Sequence, residues 1–161
     1  MEPRILLLDE PLSNLDAGLR EDMQGEIKRI QRKMDLTIIH VTHNQKEAMG
    51  LADRISVMKD GKIIQTGRPE TIYNNPVNKF VADFVGKINK IDNENLLLRP
   101  EDITISYKTG KKRAKIIDKI FLGNIIEYRL RLVEGGNKEG IIVQSTPQKK
   151  YKVGEEVFID Y

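Results

Sequence analysis

Ile5-Leu6-Leu7-Leu8-Asp9-Glu10-Pro11 is the stretch whose reading decides the fold. An unbroken aliphatic run that ends in acids suits a strand buried on both faces, as in a parallel sheet. Acids at the carboxyl end of such a strand stand where an open α/β sheet presents its ligands. One carboxylate there can hold Mg²⁺, mostly through water, because the ion takes one or two protein carboxylates and keeps several waters. Its neighbour points elsewhere and can polarise an attacking water as a general base. Two acids after a strand are by themselves more often a solvated loop start, so the weight falls on what surrounds them.

Pro11-Leu12-Ser13-Asn14-Leu15-Asp16 follows at once. Leu15, Leu19, Met23, Ile27, Ile30 and Met34 then recur at spacings of three or four with charges between them, which predicts one amphipathic helix. The β-branched run 36–41 predicts a second buried strand, leaving through Val41-Thr42-His43. Strand alternation sets His40 and His43 on opposite faces. His43, at the exit, can meet Asp9 and Glu10 at the same sheet edge, where an imidazole can bond a phosphate and position a water. His40, inside the run, reads as a packed core residue. Asn44 and Glu47 are spaced as a capping box for a helix carrying Ala48, Leu51 and Ala52. Residues 55–58 and 63–66 flank Asp60-Gly61, which favours a tight hairpin turn. Pro69 suits a first helical turn, and Val77, Phe80, Val81, Phe84 and Val85 form one stripe of a further helix.

Residues 86–95 are polar and unpatterned, and the domain boundary is placed there. Beyond it the period turns to two: 96–98, 103–107, 114–121, 125–132, 140–144 and 157–161 are short strand candidates. They predict a small antiparallel barrel or sandwich. The 161 residues are enough for one ordinary domain or two small ones. With no Cys, a disulfide scaffold, a cysteine-ligated metal centre and a thiol enzyme are excluded. No apolar run approaches the roughly 18–20 residues that span a bilayer, and the first residues do not read as a signal peptide; a soluble, cytosolic protein is expected. Residues 1–86 hold 12 Lys and Arg against 13 Asp and Glu, and residues 87–161 hold 15 against 11. The one dense basic run, Lys111-Lys112-Arg113, has no interleaved aromatics and reads as a solvated turn, so no nucleic-acid partner is expected.

ILLLDEPLSNLDAGLR, then HVTHNQKEAMGLADRISVMKDGKIIQTGRPETIYNNPVNKFVADFVGKIN, then LLLRPEDITI resemble the C-terminal part of the ATPase subunit of an ABC importer. The similar group carries a C-terminal TOBE domain and serves spermidine/putrescine, sugar and iron uptake. The resemblance implies part of a P-loop NTPase (RecA-like) parallel sheet with helices over residues 1–88, then a small all-β TOBE, OB-like barrel over 89–161. It implies that Asp9 is the Walker B aspartate supporting Mg²⁺ and Glu10 the catalytic base for the water attacking the γ-phosphate of ATP. Ser13, Leu15 and Asp16 match the D-loop, which in the family contacts the partner ATPase of a homodimer. His43 matches the switch histidine that senses the γ-phosphate. Gly67-Arg68-Pro69 and the helix around Tyr73 match the family's closing segment, and Arg99-Pro100-Glu101-Asp102 a recurring TOBE turn. Phe84-Val85-Gly86-Lys87-Ile88-Asn89 is similar to the linker of polyamine importers. Integral-membrane permease subunits are the implied partners, giving a peripheral location on the inner face of the cell membrane.

The sequence departs from that family in what it lacks. Gly61-Lys62, Gly86-Lys87 and Gly110-Lys111 are its Gly-Lys pairs, and none completes the phosphate cradle G-x-x-x-x-G-K-[ST]. No Ser-Gly-Gly-Gln signature occurs, Gly135-Gly136 being the one Gly-Gly and read as a turn. The resemblance therefore implies a C-terminal fragment starting at Walker B, inactive alone, with an apolar patch that favours self-association. The stretch between the Ile-Asn linker and the Arg-Pro-Glu turn is shorter than in polyamine-type subunits, which implies a reduced barrel or one completed by a second copy. An alternative is a regulatory TOBE module binding an oxyanion or other small ligand, which the basic excess of residues 87–161 would suit. A remnant with no activity is the third reading.

Overall fold

The computed structural model of the chain describes residues 4–91, 96–134, 140–148 and 150–161. It divides into two compact units between Gly86 and Lys87.

In the first unit, β1 (Ile5–Asp9) and β2 (Thr37–Val41) pair in parallel, with Leu7 opposite Ile39 and Asp9 opposite Val41. α1 (Ala17–Met34) makes the crossover a parallel pair requires. It begins two residues later than the apolar repeat suggests, because the Asp16 carboxylate accepts from the Leu19 amide and caps it there. Asp35, in the left-handed region, ends it. The expectation that β1 is buried on both faces is corrected: Ile5 and Leu7 are 59% and 69% exposed, Ile39 and Val41 are exposed as well, and α1 buries no residue. A parallel strand is buried twice over only when elements cover both faces of its sheet. Among the described residues this sheet has two strands and no such cover.

The rest of this unit is a packed cluster. α2 (Gln45–Leu51) precedes the hairpin β3 (Ile55–Lys59) and β4 (Lys62–Gly67), which turns through Asp60 at φ 49° and Gly61 at φ 73°. Two positive φ values in a two-residue loop make the primed turn that matches strand twist. α3 (Pro69–Asn74) opens on Pro69, and α4 (Lys79–Val85) is capped by Asn78. Val57, Ile72, Val81 and Val85 form the core. Of the predicted stripe on α4, Val81 and Val85 are buried while Phe84 and Val77 stay exposed, Val77 because it precedes the helix.

The second unit is a curled antiparallel sheet in the order β10-β9-β8-β11-β7. Its strands are β7 (Thr104–Ser106), β8 (Lys112–Phe121), β9 (Ile126–Leu132), β10 (Ile141–Ser145) and β11 (Glu156–Asp160). The edge strands β10 and β7 approach each other, so the sheet bends toward a small half-barrel of the OB kind. A bulge at Ile116–Asp118 supplies part of that curvature. At Gly110, ahead of β8, a Cβ would stand 2.7 Å from the carbonyl oxygen of Ile159, so the chain passes only as glycine. The core is filled by Ile103, Ile116, Tyr128, Leu130, Ile141 and Ile159. The buried Tyr128 hydroxyl accepts from the Tyr151 amide, and the Tyr151 hydroxyl donates to the Ile105 carbonyl.

Two sequence readings change here. The stretch read as unpatterned contains β5 (Asn89–Ile91), paired antiparallel with β6 (Leu96–Leu98). A three-residue strand carries too little alternation to be seen. Asn89, 3% exposed, extends the ladder with its side chain, donating to the Ile142 carbonyl and accepting from the Ile142 amide at 2.7 Å each. Lys111-Lys112-Arg113 is not a turn but the entry to β8, where Arg113 pairs with Glu156 and Lys111 with Asp160. The expected Gly135-Gly136 turn and part of the shortened stretch, residues 92–95, lie outside the described residues.

Glu127 is buried on β9, and its carboxylate takes both contacts of the Lys87 ammonium, at 2.8 and 2.7 Å, and the Gln144 amide at 3.3 Å. Burial alone would raise its pKa; the bonds from Lys87 and Gln144 outweigh burial and hold it below the usual glutamate range. A depressed carboxyl stabilises fully above its unfolded pKa, and that contribution is lost as pH falls through the folded one. The melting temperature of the chain should therefore drop more steeply than that of Glu127→Gln between about pH 6 and about pH 3. Ile116→Ala should cost about 2–5 kcal/mol in denaturant unfolding, because a fully buried side chain leaves a cavity.

Candidate functional site

The parallel register delivers β1 and β2 to one edge together. Past the last paired residues the Glu10 amide still donates to the Val41 carbonyl at 2.9 Å, carrying the ladder one step further. Glu10 then turns the chain in the left-handed region at φ 45°, a conformation that non-glycine residues adopt rarely and mostly at turns or functional positions. The turn ends β1 at Asp9 and takes Glu10 out of the strand's alternation.

Glu10 Oε1 and His43 Nδ1 lie 2.9 Å apart, joining residues 33 positions apart in the chain. An ionised carboxylate can only accept, so this bond needs the proton on Nδ1. Both side chains are open to solvent, His43 73% and Glu10 47% exposed, so a polar ligand can reach them. Asp9 ends β1 directly beside them. The Ser13 hydroxyl donates to the Glu10 carbonyl at 3.0 Å and the Ser13 amide to the same oxygen at 3.3 Å, fixing the turn. Asp16 spends its carboxylate on the α1 cap. Of the five residues singled out from sequence, Glu10 and His43 touch, Asp9 adjoins them, Ser13 braces the Glu10 turn and Asp16 stands apart at the helix start.

The arrangement can accept a proton from a water and hold a polar group against an imidazole. Among the described residues there is no cluster of three or more His, Cys, Asp and Glu able to enclose a metal ion. A lone carboxylate at a strand exit fits Mg²⁺, which fills most of its shell with water and phosphate oxygens. It does not fit zinc, which demands several nitrogen or sulfur ligands.

Behind the exposed pair sits a buried polar cluster that the sequence reading passed over. Glu47, 2% exposed, accepts from the Thr42 hydroxyl at 2.8 Å and lies 3.5 Å from Arg20 Nε. Arg20 in turn donates to the Leu15 carbonyl at 2.6 Å and the Leu12 carbonyl at 3.4 Å. The capping box therefore forms by half: Asn44 accepts from the Lys46 and Glu47 amides, but the Asn44 amide goes to the Thr42 hydroxyl, and Glu47 turns inward. The available signal was that Glu47 shares a helix face with Leu51, four residues on. His40 is nearly buried, and its Nε2, 3.8 Å from Glu47, has no hydrogen-bond partner among the described residues.

Residues 96–161 match the family model of the TOBE domain. The chain is 43% identical over 187 residues to the spermidine/putrescine import ATP-binding protein of Borreliella afzelii, a match covering 99% of this chain and 52% of that protein. It is 39% identical over 187 residues to the protein of the same name in Clostridioides difficile, with the same coverage. It is also 38% identical over 189 residues to the Fe(3+) ions import ATP-binding protein of Fusobacterium nucleatum, covering 99% of this chain and 51% of that one. The chain thus spans about half the length of the curated relatives it matches. The matched stretches are longer than the chain itself, so the relatives carry residues inside them that it lacks.

Asp16→Ala should shorten α1 at its start and lower the stability of the first unit by about 1 kcal/mol, the usual worth of an N-cap. Denaturant unfolding followed by helical circular dichroism measures it, and Asp16→Asn should restore most of the loss.

Proposed function

We propose that the chain, similar to ATP-binding subunits of ABC importers over 99% of its length and matching the TOBE domain at residues 96–161, supplies the water-activating side of an ATP hydrolysis site coupled to import. The observation that supports this reading most is the 2.9 Å contact between Glu10 and His43 at the strand exit beside Asp9. Asp9 would hold Mg²⁺, which when bound would supply charge that offsets the phosphates. Glu10 accepts the proton of the water that attacks the γ-phosphate, and His43, donating from Nδ1, fixes the carboxylate's orientation. A doubly protonated His43 also offers Nε2–H to a phosphate oxygen. Ser13 sets the backbone turn that aims Glu10, and Ser13 and Asp16 belong to the segment facing a second ATPase subunit.

Polyamine is the proposed cargo, resting on two relatives named for spermidine/putrescine import and on the 84–89 segment; the Fe(3+) relative marks iron as the competitor. Permease subunits are the proposed membrane partners, holding the protein at the inner face. Among the described residues no helix is long and apolar enough to cross a membrane. An oxyanion site in the β unit draws less support, since Lys111 and Arg113 are already matched to Asp160 and Glu156.

The 161-residue chain contains no G-x-x-x-x-G-K-[ST] cradle. Phosphate release from Mg²⁺-ATP by this chain alone should stay far below about one turnover per second, the low end for working enzymes. A rate of that order would contradict the proposal. In an ATPase carrying these residues with a complete cradle, Glu10→Gln should lower kcat by about 10²–10⁴-fold, the usual worth of a positioned general base. An unchanged rate would remove Glu10 from the chemistry.

A further inference from the structure

The Glu10–His43 contact is exposed on both sides, and exposed side chains do not hold a geometry by themselves. What holds it has to be sought in the backbone on either side. On the Glu10 side, the carbonyl of Glu10 is bound by Ser13, which lies between the fully packed Leu12 and, two residues on, Leu15, and both of those leucine carbonyls accept from Arg20. On the His43 side, the flanking Thr42 and Asn44 are tied to each other through the Thr42 hydroxyl, and that hydroxyl donates to Glu47. The two sides meet where Arg20 Nε lies 3.5 Å from Glu47 Oε1. Glu47 is 2% exposed and Arg20 28%, so the meeting point is largely shielded from water, where charge-assisted bonds are strong and an unpaired charge is costly.

We propose that Glu47 and Arg20 are positioning residues: as one largely shielded pair they lock the 12–16 segment to the 42–47 segment and thereby set Glu10 against His43. The proposal deepens the hydrolytic reading above and rests on it for its purpose, but its geometry is measurable without nucleotide. The guanidinium suits the task because its rigid fork donates to two carbonyls, from Nε and Nη2, while its charge stays against the Glu47 carboxylate, which a lysine ammonium on a flexible stem cannot reproduce. A functional pair held from behind by satisfied polar groups is the general way an exposed constellation keeps its spacing. Among the described residues no hydrogen bond or ion pair joins Glu47 to Glu10 or His43, so its effect runs through Thr42 and Asn44.

The test uses the whole 161-residue chain, its own variants Glu47→Gln and Arg20→Lys, and nuclear magnetic resonance. Glu47→Gln keeps an acceptor for Thr42 while removing the ion pair, and Arg20→Lys keeps the charge while removing the fork. In the wild type the ring nitrogens of His43 should show the Nδ1–H tautomer, and the amide of Leu15 should be protected by the Leu12 carbonyl. In both variants the His43 signature should move toward that of a free histidine. Amide exchange at Leu15 and Asn44 should speed by about tenfold or more, the mark of local opening, while amides in the middle of α1 and in the core strands β8 and β9 hold their wild-type rates. An unchanged His43 signature with unchanged Leu15 exchange in both variants overturns the proposal. So does acceleration spread evenly over the first unit, which would mean that the pair only adds global stability. If the signature moves as expected but Glu10→Gln leaves hydrolysis unaffected in a complete ATPase, the positioning stands and the hydrolytic reading falls.

Discussion

Everything at the candidate site depends on the parallel pairing of β1 with β2. Parallel neighbours run their carboxyl ends out at the same edge, so an acid that ends one strand and a histidine that follows the other arrive together. The register is what makes the arrival useful. With Asp9 opposite Val41 and the Glu10 amide still bonded to the Val41 carbonyl, Glu10 turns at the level where the chain beyond β2 reaches His43. Because side chains alternate across a strand, a slip of one residue would carry the apolar set to the other face and move the acids along the edge.

The same pairing leaves the unit with a chemical imbalance. β1 and β2 are written in the aliphatic code of strands covered on both faces, yet Ile5, Leu7, Ile39 and Val41 are exposed, and α1 contributes no buried residue. The hydrophobic effect therefore does less for this sheet than for the cluster of Val57, Ile72, Val81 and Val85, and polar links carry more of its organisation. The Asp16 cap, the Ser13 brace and the Arg20–Glu47 pair are such links. The β unit is built the other way, on a closed apolar core with its few buried polar groups bonded, as at Glu127, Asn89 and Tyr151.

Much of this was legible in the residues, for reasons that can be named. Segments with a strong local rule declared themselves: the apolar repeat that runs into α1, the Asp60-Gly61 hairpin and the alternation along β8 and β9. So did the meeting of Glu10 and His43, because it needs only the direction of two strands. The burial of β1 was not legible, because a sequence run records what a strand is suited to, not how many neighbours cover it. β5 was hidden because three residues carry no period and because Asn89 pairs through its side chain. Glu47 and Arg20 were hidden because a charged residue on a helix is ordinarily read as solvated, and only tertiary packing turned both inward. The basic run 111–113 misled because its neutralising partners, Glu156 and Asp160, lie more than forty residues away.

The strand register admits a direct chemical test, helped by a chain with no cysteine of its own. Leu7 and Ile39 face each other across the ladder and are both exposed, so Leu7→Cys with Ile39→Cys places two thiols on strands about 4.8 Å apart, within disulfide reach. Mild oxidation should close an intramolecular disulfide quickly in that pair, and slowly or not at all in the offset pair Leu7→Cys with Val41→Cys. Equal cross-linking of both pairs, or preference for the offset one, would contradict the register that brings Glu10 to His43.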